Sequence, residues 1–203
     1  MHAVVFDIDG TLLQSAGVDD DLYKDAVRSV IPDAQIRPAL SDYTYVSDSG
    51  ILSQIMIDNS ISDESKFVSA IKSTFIELLK AHIADHGPFI EIPGAKNMLT
   101  RLESSPNHVV AIATGGWRKS ALLKLDTGGF GKLKCPIATS DDAHDRKDIM
   151  RIALAQLGSS FSSVTYYGDG TWDRDASDAL GWDFVPVGPA LGGLESYVNL
   201  DDV

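Results

Sequence analysis

The decisive stretch is His2-Ala3-Val4-Val5-Phe6-Asp7-Ile8-Asp9-Gly10-Thr11, an apolar run that stops at two carboxylates, a glycine and a hydroxyl. β-Branched and aromatic side chains in an unbroken run read as a strand buried on both faces, as in a parallel sheet. Charges at the carboxyl end of such a strand lie where open α/β sheets bind their ligands. In extended backbone Asp7 and Asp9 project to one side and can share one small site, and two carboxylates that close repel each other and call for a cation. An ordinary Asp-Gly turn would account for the same letters. A calcium-binding loop would not, because its register places Val5 at the first ligand position and Ala16 where a bidentate glutamate is required.

From Asp19 the spacing turns helical, with acids in the first turn and Leu22, Ala26, Val27 and Val30 on one stripe before Pro32. Asp19, Asp20 and Asp21 fit a favourable helix start better than a metal site. Arg37 to Gly50 reads as a loop and a short helix holds Ile51 and Ile55. A third helix, capped from Ser60 to Ser62, carries Phe67, Val68, Ile71, Phe75, Leu78 and Leu79 in helical period up to Gly87-Pro88. Residues 16–88 are thus expected to form a helical block without a strand. His82 and His86 lie one turn apart within it but lack the glutamate that a zinc protease helix places beside the first histidine, so they are given no function.

After Pro93-Gly94 strands and helices alternate. A helix from Ala95 to about Glu103 leads to the strand Val109–Ala113, which ends at Thr114-Gly115-Gly116; a helix with Ala121, Leu122 and Leu125 follows. Pro136 to Thr139 is a weaker strand, Arg146 to Leu157 a helix, Val164 to Tyr167 a strand, Ala176 to Leu180 a helix and Phe184 to Val187 a last strand. This alternation predicts an α/β fold, a doubly wound parallel sheet, with the helical block inserted after the first strand.

Composition narrows the functions. With 203 residues, 44% hydrophobic and 23% charged, the chain can bury one full core plus a modest insertion. A net charge of -12 argues against binding nucleic acid or an anionic membrane, both of which demand a basic face. The single cysteine, Cys135, cannot form an internal disulfide, the amino terminus does not read as a signal peptide, and no run is long enough for a membrane span. A soluble, cytoplasmic protein is expected, as a monomer or small homo-oligomer.

In a parallel sheet Asp7 and Asp9, Thr114-Gly115, Arg146-Lys147 and Asp169 with Asp173 all come to one edge. Three carboxylates there suit a hard divalent cation such as Mg2+, and a hydroxyl, free amides and a cation suit phosphate. Phosphoryl transfer is the chemistry these parts serve best. The ordered set Asp7-Ile8-Asp9-Gly10-Thr11, Thr114 after its strand, a basic residue before the fourth strand and Gly168-Asp169-Gly170-Thr171-Trp172-Asp173 resembles the haloacid dehalogenase-like hydrolases over nearly the whole chain.

The resemblance implies a Rossmann-like core, residues 1–15 and 89–203, and a helical cap, residues 16–88. It implies a Mg2+-dependent phosphatase acting on a small phosphorylated metabolite through an aspartyl-phosphate. Asp7 would be the nucleophile and Asp9 the general acid and base. Thr11, Thr114, Gly115 and Arg146 would bind phosphate, and Asp7, the Asp9 carbonyl, Asp169 and Asp173 would serve the metal. The carboxyl at position 9 speaks against the dehalogenase branch, which has no alkoxide to protonate. The Lys-Pro pair of many relatives is missing; its spacing lands on His144, while Asp145-Arg146 is similar to relatives with an Asp-Arg helix start. Arg146 is therefore the expected cation and Lys147 the alternative. Tyr43, Tyr45, Ser47, Asp48, Trp117 and Arg118 are candidates to read the leaving group. A phosphomutase, or a non-catalytic relic of the fold, would share much of this pattern.

Overall fold

The computed structural model describes residues 1–131, 133–158, 160–198 and 200. Its centre is a five-stranded, all-parallel sheet in the order β3-β2-β1-β4-β5. The strands are β1 (His2–Phe6), β2 (His108–Ala113), β3 (Ile137–Ala138), β4 (Ser163–Gly168) and β5 (Asp183–Pro186). The first strand lies in the middle of the sheet, and its apolar run suits burial on both faces: Ala3, Val4, Val5 and Phe6 are all fully buried.

Four helices belong to this alternation: α4 (Ala95–Ser104), α5 (Arg118–Thr127), α6 (Arg146–Ala155) and α7 (Thr171–Leu180). One of them differs usefully from the sequence expectation. α7 begins at Thr171 rather than Ala176, so Asp173 falls in its first turn, where its carboxylate accepts from the Gly170 amide at 3.2 Å. α5 begins at Arg118, directly after the second strand's loop.

Between β1 and α4 lie α1 (Ala16–Val30), α2 (Asp48–Asp58) and α3 (Glu64–His86), with a 3-10 turn at Leu40–Asp42 and no named strand among the described residues. α1 starts three residues before the acids that suggested its beginning, and the residue flanking the start of α3 is Asp63 rather than one of the preceding serines. The insertion leaves and returns side by side: the Gln14 amide donates to the Ile90 carbonyl at 2.8 Å and the Ile92 amide to the Leu12 carbonyl at 2.9 Å. It closes back on the core through aromatic packing, with Trp117 of the core 5.3 Å from the Tyr23 ring and 5.8 Å from the Phe75 ring, centroid to centroid. No helix is long and apolar enough to cross a membrane among the described residues.

Candidate active site

β1 ends at Phe6, and Asp7 follows with its amide still in the sheet, donating to the Tyr167 carbonyl at 2.9 Å. Asp169 follows the adjacent β4, and Asp173 reaches back from α7. Carboxylate oxygens of Asp7, Asp169 and Asp173 lie within 4.8 Å of one another. Burial pushes the Asp7 carboxyl well above its ordinary range, and the neighbouring Asp173, Asp169 and Asp9 add to the rise against the opposing pull of Arg146. Asp169 is pushed up to about 7 by burial and then by Asp173 and Asp9. A crowded all-oxygen donor set whose members resist ionising together fits a hard divalent cation, which would relieve the repulsion.

Glycines make the approach possible. Gly10 has φ +75°, and a Cβ there would lie 2.0 Å from Asp169 Oδ2. At Gly115 a Cβ would lie 2.5 Å from Arg146 Nη2, so the second strand's loop leaves a slot through which the guanidinium passes.

Arg146 opens α6 and is 8% exposed. Its Nη1 stands 3.4 Å from Asp7 Oδ1, its Nε 3.3 Å from Asp173 Oδ1, and its Nη2 donates to the Val46 carbonyl of the insertion at 3.2 Å. Burial alone would lower its affinity for a proton; the Asp173 and Asp7 carboxylates outweigh that and keep it charged. Lys147 is not brought here. Because Asp145 caps α6, accepting from the Lys147 amide, the Lys147 side chain turns outward and pairs with Asp145 at 3.2 Å. Thr114 is buried at the end of β2, where its Oγ1 accepts from the Gly116 amide. Thr11 departs from expectation: the tight turn after Ile8 tucks it inward, its hydroxyl is buried without a hydrogen-bond partner among the described residues, and it does not line the cavity.

Asp9 points elsewhere than Asp7. Its Oδ1 accepts from Ser15 Oγ at 2.5 Å, and both its oxygens accept from Lys124 Nζ, at 2.6 and 2.7 Å. Lys124, on α5, is fully buried and also donates to Asp19 Oδ1 of α1 at 2.5 Å. Burial lifts the Asp19 carboxyl to about 7, with Asp9 adding and Lys124 opposing. The sequence reading missed Lys124, yet the signal was there: a lysine sharing a helix face with Ala121, Leu125 and Gly128 is pointed at the core and must find partners.

The cavity above these groups holds about 130 Å3. Of the insertion's candidates, Ser47 and Asp48 line it. Asp48 is held by its own backbone, its amide donating to the Gly115 carbonyl at 2.8 Å and its carbonyl accepting from Tyr23 Oη at 2.9 Å. Trp117 is buried in the aromatic packing and Arg118 is paired with Asp142 at 2.7 Å; Tyr43 is buried beside Arg37, and Tyr45 is exposed. His82 and His86 stack at 4.5 Å between centroids, with His82 also stacked on Phe89.

The family model of haloacid dehalogenase-like hydrolases matches residues 1–181. The chain belongs to that family. Haloacid dehalogenase-like folds are also what it is similar to among solved structures. A hydrolase from Pseudomonas syringae is 21% identical with a TM-score of 0.71, covering 92% of this chain and 84% of that one. CbbY from Rhodobacter sphaeroides in complex with phosphate is 18% identical with a TM-score of 0.68, covering 97% and 88%. A mutant of CbbY from the same organism, in complex with xylulose-(1,5)bisphosphate, is 16% identical with a TM-score of 0.70, covering 98% and 96%. At these identities the likeness concerns the fold. No curated protein matches the sequence.

Proposed function

We propose that this hydrolase is a Mg2+-dependent phosphatase that cleaves small phosphate monoesters through an aspartyl-phosphate on Asp7. The observation that carries the reading is the division of labour between the two carboxylates of one strand end. Asp7 sits in the Asp169–Asp173 cluster beside Arg146, while Asp9, two residues on, is turned away and held by Ser15 and Lys124. Two carboxyl groups in contrasting environments can serve as nucleophile and as proton carrier.

Asp7 Oδ attacks phosphorus as the bond to the alcohol oxygen breaks, and Asp9 gives that oxygen its proton. Water then attacks the phosphorus of the acyl phosphate, Asp9 takes its proton, and Asp7 is freed as a carboxylate with inorganic phosphate. Asp7, Asp169 and the Asp9 carbonyl would hold Mg2+, whose charge would offset that of the transferring group. Asp173, engaged by Arg146, Tyr166 and the Gly170 amide, orients the guanidinium rather than meeting substrate. Arg146, Thr114 and the Gly115 amide supply donors to phosphoryl oxygens. The helices of residues 16–88 act as a cap that keeps bulk water from the acyl phosphate, and a cavity of about 130 Å3 suits a small metabolite.

The test is a panel of phosphate esters assayed with Mg2+, with chelator, and with Asp7→Asn. Hydrolysis is expected only with Mg2+ and the native residue, with losses of at least about a thousandfold, the order expected when a covalent nucleophile is removed. Turnover that survives both treatments refutes the mechanism.

A further inference from the structure

The cavity has two ends of opposite character. Around Asp7, Arg146 and Thr114 it is built for an anion. The end closed by the insertion presents Asp19, Asp20 and Asp48. Arg146 is the lone lysine or arginine among the described residues that line the cavity, and it is engaged with Asp7 and Asp173. Nearby cations are spent: Lys124 is fully buried between Asp9 and Asp19, and Lys24 pairs with Asp20 at 2.5 Å.

Asp48 has no such partner among the described residues. It is 9% exposed, and its carboxylate accepts one hydrogen bond, from the Trp117 amide to Oδ2 at 2.8 Å. Its main chain is fixed at both ends, amide to Gly115 and carbonyl to Tyr23, and its Oδ2 is held by the Trp117 amide. Oδ1 is left as an acceptor in a cavity-lining, nine-tenths buried side chain.

We infer that Asp48 sets specificity for the leaving group: the alcohol released carries hydroxyl or ammonium donors and no second anionic group. This rests on the phosphatase reading and narrows it. A hydroxyl or ammonium completes the hydrogen bonding of a buried carboxylate. A carboxylate or second phosphate would be brought against Asp48 and Asp19 without a counter-charge. Burial and the Asp19 charge already push the Asp48 carboxyl well up, so the cavity resists further negative charge. If Asp48 takes a proton it offers one donor, yet still no cation.

The experiment compares kcat/KM, with Mg2+, for four esters: phosphoglycolate (anionic alcohol), glycerol 3-phosphate (neutral), phosphoethanolamine (cationic) and p-nitrophenyl phosphate as a general probe. Phosphoglycolate is expected to fall at least about tenfold below the neutral and cationic esters, the scale of one screened like-charge contact. Asp48→Asn keeps an oxygen for the Trp117 amide and removes the ionisable group, so it should narrow that gap, most at a pH high enough to ionise the raised Asp48 carboxyl. Equal or preferred use of phosphoglycolate, or a ratio unmoved by Asp48→Asn, overturns the inference while leaving the phosphatase reading intact. No hydrolysis of any ester, the nitrophenyl one included, overturns both.

Discussion

Replacing Lys124 by methionine isolates the buried ion pair that joins Asp19 of the insertion to Asp9, the proposed proton carrier. The ammonium is fully buried and makes three contacts of 2.5 to 2.7 Å with Asp9 and Asp19, whose side chains are 17% and 12% exposed. Methionine keeps the stem and removes the charge, stranding two mostly buried carboxylates. Breaking a buried pair from one side costs ~3–5 kcal/mol. Part of this is relieved by protonation, because Asp19 already titrates at about 7. Its folded value lies above its unfolded one of 3.8, so the stability it contributes is present at low pH and is lost as pH rises towards 7. Without Lys124 that window extends upward, and the variant should lose more stability at about pH 8 than at about pH 6. Denaturant unfolding at the two pH values measures this, and Lys124→Met with Asp19→Asn should recover ~0.5–3 kcal/mol as coupling. In activity, an alkyl phosphate should lose more kcat than p-nitrophenyl phosphate, whose leaving group scarcely needs the proton of Asp9. A loss below about 1 kcal/mol at the higher pH, or equal losses on both esters, would refute the argument.

On the proposed reading, Mg2+ would have to displace protons from a cluster in which burial raises Asp169 to about 7 and raises Asp7 as well. Affinity should therefore rise with pH through neutrality, by about tenfold per unit for each proton displaced; titration calorimetry in two buffers of different ionisation enthalpy checks both the slope and the proton release. Gly10→Ala should cost about 1–2 kcal/mol for the left-handed backbone alone, and more from the 2.0 Å approach to Asp169, with weaker Mg2+ binding as its signature in the same titration. Gly115→Ala should push the guanidinium out of its slot, lowering kcat while thermal unfolding shifts little; an unchanged kcat would show that Arg146 has room to move.

The sheet was readable because β1 and β2 are apolar runs that stop at an acid or a hydroxyl and the remaining strands alternate with helices, and the insertion because its apolar positions keep a helical period without strand signals. The convergence of Asp7, Asp169, Asp173 and Arg146 followed from the single rule that parallel strands end along one edge. What escaped was whatever depended on a side chain's direction within an element. Lys124 looks like a surface charge until it is placed on the buried face of α5, and Asp19 looks like a helix-start acid until α1 is extended back to Ala16. Lys147 and Arg146 differ by one residue, and the Asp145 cap decides between them. Trp117 sat beside the second signature, but size sent it into the aromatic packing with Tyr23 and Phe75 instead of the cavity.

The central strand precedes both its partners in the chain and is completed late. Its flanking partners do not begin until His108 and Ser163, so no ladder bond can form on β1 until the ribosome has passed the whole helical segment. Such non-local pairing is slow, and a waiting apolar strand is prone to aggregate. The contact between residues 12–14 and 90–92 changes the distance that matters. Once the inserted helices have drawn their own two ends together, β1 and β2 are joined by a short effective tether rather than by the full length of the intervening chain. A segment that contributes no strand to the sheet thus governs how fast the sheet assembles.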